Sequence, residues 1–246
     1  MKKFYLILLA LLLTLTLCAL LVACTDDDCD GDGCDGSTEQ PDGGADEPDG
    51  DKVGLDDLLD WSLVPTPEKP VIYLYPEMPT DVTVTLELDG ALTSTYPTYG
   101  DGWRVTAYPD GTLTDASGRE YYCLFWEGVQ NAEYDLTRGF SVAGKDTQAF
   151  LEDALAQLGL NEREANEFII YWLPRMENNA YNLITFQTDR YTSGAALNVT
   201  PAPDTIIRVF MAWTALDAPV DIEPQRLTAP ERNGFTVVEW GGAELK

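Results

Sequence analysis

Between Thr25 and Thr66 the chain carries thirteen Asp and two Glu against a single base, Lys52, with few apolar residues before Leu55. Such a stretch cannot bury enough apolar surface to offset the entropy of ordering it, and its like charges hold it extended. It reads as a disordered acidic tether, so a fold has to be built from residues 67–246. Those 180 residues, with 27 acids against 12 bases, are enough for a single domain with a sizeable core. Within the tether, Leu55, Leu58, Leu59 and Trp61 suit one short helical turn in 53–63 that docks on the domain.

Charge and composition remove several function classes. The formal charge is −27, and loss of residues 1–23, which hold Lys2 and Lys3 but no acid, takes it to −29. Phosphate backbones and anionic lipid surfaces repel such a chain, so nucleic acid is not an expected partner. There is no histidine. That excludes Ser-His-Asp and Cys-His chemistry and the usual nitrogen ligands for zinc, and leaves carboxylates, Tyr, Lys, Arg and Cys to do any chemistry.

Period-two patterning dominates the first half of the domain. Val82, Val84, Leu86 and Leu88 alternate with Thr83, Thr85 and Glu87, and Trp103, Val105 and Ala107 alternate with Arg104 and Thr106. Both read as strands with one wet face. Asp89-Gly90 and Asp110-Gly111 read as hairpin turns. Residues 71–75 and 120–126 are apolar on both faces and read as interior strands. Tyr-Pro occurs at Tyr75-Pro76, Tyr96-Pro97 and Tyr108-Pro109, each near a strand end, where proline's missing N–H does no harm. Those tyrosines also suit an aromatic platform for a sugar ring.

The period then changes. Phe150, Leu151, Ala154, Leu155 and Leu158 share a helix face, with Asp146 placed to cap the helix and Gly159 to end it. Asn161 and Glu164 have capping-box spacing for a second helix that Pro174 should stop. Strand patterns return at 182–188, 206–214 and 235–240. Strands, two helices and strands again indicate an α+β fold, an antiparallel β-sandwich or open sheet with an inserted αα-hairpin.

Candidate sites are few. Glu164, Glu167 and Tyr171 share one helix face, and paired carboxylates there suit either acid-base hydrolysis of a glycosidic bond or a divalent ion; a cap and a solvated acid are the plainer readings. Arg208 interrupts Ile206-Ile207-Arg208-Val209-Phe210-Met211, and a guanidinium inside a central strand demands a carboxylate, with Glu127, Glu164, Glu167 and Glu239 the candidates. That partner makes Arg208 a structural ion pair or, alternatively, a ligand clamp. Trp103, Trp126, Trp172, Trp213 and Trp240 read as core, and Cys123, between Tyr122 and Leu124, as an inert small core residue.

The start of the chain carries a resemblance. Met1-Lys2-Lys3, the apolar run from Phe4 to Ala23 and the ending Leu21-Val22-Ala23-Cys24 resemble the bacterial lipoprotein signal peptide. The resemblance implies cleavage before Cys24, a diacylglyceryl group on its sulfur, and a lipid anchor that holds the chain at the outer face of the cell membrane. Beyond it, Asp26, Asp28 and Asp30 with Gly31 match the first half of a calcium loop, but Ser37 stands where a bidentate Glu belongs, so loosely bound calcium is the most the pattern supports. No other cofactor is expected. Cys29 and Cys34 are close enough in sequence to form a disulfide after export.

Three further stretches, 69–76 (KPVIYLYP), 162–174 (EREANEFIIYWLP) and 231–242 (ERNGFTVVEWGG), are similar to a group of uncharacterised bacterial surface lipoproteins. The similarity runs from Lys69 to the end and implies domain limits and location, with no activity attached. Three functions fit this sequence: a non-enzymatic extracellular domain that binds a glycan or surface protein, a carboxylate-dependent surface hydrolase acting on carbohydrate, and a divalent-cation-dependent adhesion module.

Overall fold

The structure, a computed structural model, describes residues 67–130, 133–187 and 189–245, with Arg190 described by its backbone alone. The described chain is a mixed α+β fold built mostly of strands in two sheets. In order along the chain come β1 (Glu68–Tyr75), β2 (Thr80–Leu88), β3 (Gly90–Tyr96), β4 (Trp103–Ala107), β5 (Leu113–Thr114), β6 (Glu120–Tyr121), β7 (Leu124–Gln130) and β8 (Phe140–Ala143). Helices α1 (Thr147–Gln157) and α2 (Glu162–Met176) follow. The chain finishes with β9 (Tyr181–Phe186), the short α3 (Asp189–Gly194), β10 (Ala195–Thr200), β11 (Thr205–Leu216) and β12 (Thr236–Glu244).

Seven strands form one sheet in the order β3-β7-β1-β12-β11-β9-β8, and five form the other in the order β10-β2-β4-β5-β6. All neighbouring pairs are antiparallel except β11 and β12, which run parallel with Arg208 opposite Glu239 and Phe210 opposite Gly241. Strand alternation sorts the apolar residues between two cores. Ile72, Leu74, Trp126 and Phe210 from the larger sheet meet Val82, Val84, Trp103 and Val105 from the smaller one, as in a β-sandwich. Val71, Tyr73, Val209 and Trp240 point the other way, onto Leu151 and Leu155 of α1 and Phe168 and Trp172 of α2. Strands buried on both faces, such as β1, are therefore apolar at every position from Val71 to Leu74.

Several boundaries differ from the expectation, each for a local reason. Asp89-Gly90 is a corner between sheets, since β2 pairs with β4 and β10 while β3 pairs with β7. Gly90 has φ 155°, and a Cβ there would lie 1.8 Å from the Val129 carbonyl oxygen, so only glycine allows the close approach. Asp110-Gly111 does close a hairpin, joining β4 to β5. The apolar run 120–126 is split at Tyr122-Cys123: β6 belongs to the smaller sheet and β7 to the larger. Asp146 stands at the N-cap of α1, but its backbone is helical and its side chain makes no cap hydrogen bond, because a 3-10 turn at Gly144–Asp146 leads into the helix. Gly159, at φ 87°, ends α1. The box at Asn161 forms as its spacing indicates, with the Glu164 N–H donating to Asn161 Oδ1 at 2.9 Å and the Asn161 N–H to Glu164 Oε2 at 2.8 Å. Pro174 does not stop α2, which runs on to Met176: the Glu177 N–H still donates to the Leu173 carbonyl, and Met176 is buried.

Candidate functional site

The seven-stranded sheet is wider than the two helices that pack on it. At its β3-β7-β1 end the helix-side face is left open as a cleft of about 450 Å³. Its floor is Val71 of β1 and Phe125 of β7, opposite each other in register. Tyr96 at the end of β3 pairs with Phe125 and stands at the rim, 52% exposed. The crossing between the two sheets supplies the other wall through Glu120, Tyr121 and Tyr122, and Tyr122 is 48% exposed. Glu127 and Lys69 complete the lining.

The aromatic groups are held in fixed relation. Tyr96 and Tyr121 meet edge to face with centroids 5.6 Å apart, and the Arg119 guanidinium sits over both rings at 6.0 and 5.9 Å. Asp115 organises this wall: Oδ1 accepts the Ser117 hydroxyl and N–H and the Arg119 N–H, while Oδ2 accepts the Tyr121 hydroxyl at 2.8 Å. Those donors, the Ser117 and Tyr121 hydroxyls first, pull the Asp115 carboxyl down to about 2. Lys69 is the one non-glycine residue with positive φ, 54°, among those described, at the bulge in β1. Its N–H donates to Glu127 Oε1 at 3.3 Å and its ammonium lies 5.6 Å from the centroid of the Tyr171 ring on α2. Arg163, also on α2, sits 5.6 Å from the Tyr122 centroid. Cys123 also lines the cleft, and burial and then the Glu167 carboxylate push its thiol up to about 12.

The residues singled out from the sequence have separate engagements. Glu164 is fully buried, closes the capping box and holds a bidentate pair with Arg232. Glu167 accepts the Tyr73 hydroxyl at 2.7 Å and lies 3.8 Å from Arg163. Burial, followed by the Glu167 hydrogen bond and charge, raises the Tyr73 pKa well above its ordinary value. Tyr171 donates to Glu68 at 2.9 Å, and Arg175 joins the same carboxylate. The three positions of one helix face thus serve three partners.

Arg208 is interior, and its Nε donates to Glu239 Oε2 at 2.6 Å, the carboxylate opposite it in the β11-β12 register. Trp126 Nε1 donates to the other oxygen at 3.0 Å, and the guanidinium lies 4.8 Å from the Tyr191 centroid. Burial alone would lower the Arg208 pKa, but the charge and hydrogen bond of Glu239 together with Tyr191 outweigh it and the pKa is raised. Of the three Tyr-Pro tyrosines only Tyr96 lines the cleft; Tyr75 stacks on Tyr73 beneath Arg232. The cleft's remaining groups, Lys69, Glu120, Tyr121, Tyr122 and Glu127, carry no signal in the sequence beyond their chemistry. Cys24, Cys29, Cys34, Asp26, Asp28 and Asp30, with the apolar stretch 53–63, lie outside the described residues.

Comparison of the chain with protein-family models, with curated proteins and with solved structures finds no match.

Proposed function

We propose that this chain is a membrane-anchored extracellular lipoprotein, tied to lipid through Cys24, whose folded domain binds a glycan without chemical turnover. The cleft carries the reading. Half-exposed Tyr96 and Tyr122 beside Tyr121 offer ring faces for the apolar side of a sugar, and Glu120 and Glu127 offer acceptors for its hydroxyls. In this reading α1 and α2 are an αα-hairpin inserted between the two strand runs, and α2 touches two lining residues, Lys69 through Tyr171 and Tyr122 through Arg163. Binding is favoured over hydrolysis because the Glu164 carboxylate is buried under Arg232, out of reach of any substrate.

A glycan array probed with the mature chain tests this, followed by calorimetry on each positive sugar. Tyr96→Ala and Tyr122→Ala are each expected to weaken binding about tenfold, the scale of one lost aromatic contact. Failure to retain any glycan, or retention unchanged in both variants, refutes the reading.

A further inference from the structure

We propose that the glycan held in this cleft is acidic, with a carboxylate on the sugar that Lys69 and Arg119 receive; this rests on the glycan reading above. In a chain with 42 acids and 15 bases, carboxylate partners are in excess. Arg104, Arg138, Arg163, Arg175, Arg208 and Arg232 each have one within salt-bridge range. Lys69 and Arg119 have none among the described residues, although Glu120 adjoins Arg119 in sequence and Glu127 accepts the Lys69 N–H. Lys69, itself in the cleft lining, lies over Tyr171 of α2, and Arg119 lies over Tyr96 and Tyr121, two of the lining residues. Lys145 and Arg226 also lack a carboxylate among the described residues, but neither lines the cleft nor lies over one of its tyrosines.

Geometry holds the two cations in place. Arg119 follows the loop that Asp115 closes through three donors, and Lys69 sits in a left-handed conformation that costs a non-glycine residue free energy unless its surroundings enforce it. A backbone strained at the lining of a cleft, with its ammonium left without a counter-charge, suits a site that waits for an outside anion. The remaining groups fix what kind of anion. Glu120 and Glu127 require hydroxyl donors, and the tyrosine faces require a ring with an apolar side. A sugar acid supplies all three; a neutral sugar leaves the cations unmatched, and a simple anion leaves the carboxylates and rings unused. The chain's overall negative charge does not forbid this, since screening limits its reach to about 8 Å at physiological salt.

Calorimetry with the mature full chain decides the matter, using oligogalacturonate, hyaluronan oligosaccharides and glucuronoxylan fragments, each beside its own carboxyl-reduced form. The acid form of at least one is expected to bind about tenfold tighter than its reduced counterpart, the scale of one charge-assisted hydrogen bond. Lys69→Met and Arg119→Gln should each bring the acid form's affinity down close to that of its reduced counterpart measured in the same variant, with the melting curve unchanged. Equal affinity for acid and reduced forms, or variants that keep the difference, overturns the acidic assignment and leaves glycan binding standing. No binding to any of these sugars or to neutral glycans overturns both.

Discussion

Replacing Arg208 tests whether the core between the sheets depends on a matched pair of charges. In Arg208→Met the Glu239 carboxylate keeps one donor, Trp126 Nε1, and loses its counter-charge inside a core where its own exposure is 0%. Breaking a buried pair from one side costs about 3–5 kcal/mol. Unfolding entropy near 2.1 cal/mol/K per residue gives roughly 0.4 kcal/mol/K for a domain of this size, so the melting temperature should fall by about 8–13 °C. Adding Glu239→Gln removes the stranded charge while keeping an oxygen for Trp126, and the double variant should recover to within about 4 °C of the parent. Thermal melts followed by near- and far-ultraviolet circular dichroism read the parent, each single variant and the double variant. A single variant that melts within about 2 °C of the parent, or a double variant whose loss is the sum of two single losses, refutes the account.

Asp115, depressed to about 2, stays charged well below the unfolded aspartate range, so its contribution is present above about pH 4 and is lost as pH falls toward 2. Carbon-detected NMR titration should show that midpoint, and Asp115→Asn should weaken glycan binding by releasing Arg119 and Tyr121; a midpoint near 4 contradicts this. Cys123, pushed up to about 12, should have about one thiol in ten thousand ionised at pH 8. Iodoacetamide should therefore modify it only after unfolding, as read by peptide mass mapping, and fast labelling of the folded chain would contradict the burial. Cys24→Ser should move the protein from the membrane fraction to the soluble one, and unchanged partition into detergent would remove the lipid anchor from the proposal.

What was legible in the sequence follows from how local each signal is. The two buried faces of β1, the alternation in β2 and β4 and the Asn161-Glu164 box all lie within a few residues, and the structure has them. The demand of Arg208 for a carboxylate was equally plain, but the choice of Glu239 required the parallel register of β11 and β12. Strands β3 and β10 escaped notice because, as edges, they bury little: five of the seven β3 residues are exposed, and the strand has no charge and no strict apolar alternation. The cleft was out of reach for a different reason. Its walls come from Lys69, Tyr96 and 120–127, and the break at Tyr122-Cys123 that folds the chain from one sheet to the other hides inside a run whose hydrophobicity reads as one continuous strand.

Strand β12 lies between β1 and β11, yet it follows every other described strand along the chain. Before it arrives, the larger sheet exists only as two unjoined halves, β3-β7-β1 and β11-β9-β8, each with an open hydrogen-bonding edge toward the gap. Nascent chains therefore remain unable to close their core until Thr236–Glu244 have emerged, and a frameshift or protease cut ahead of Thr236 would split the molecule along its middle instead of trimming its border.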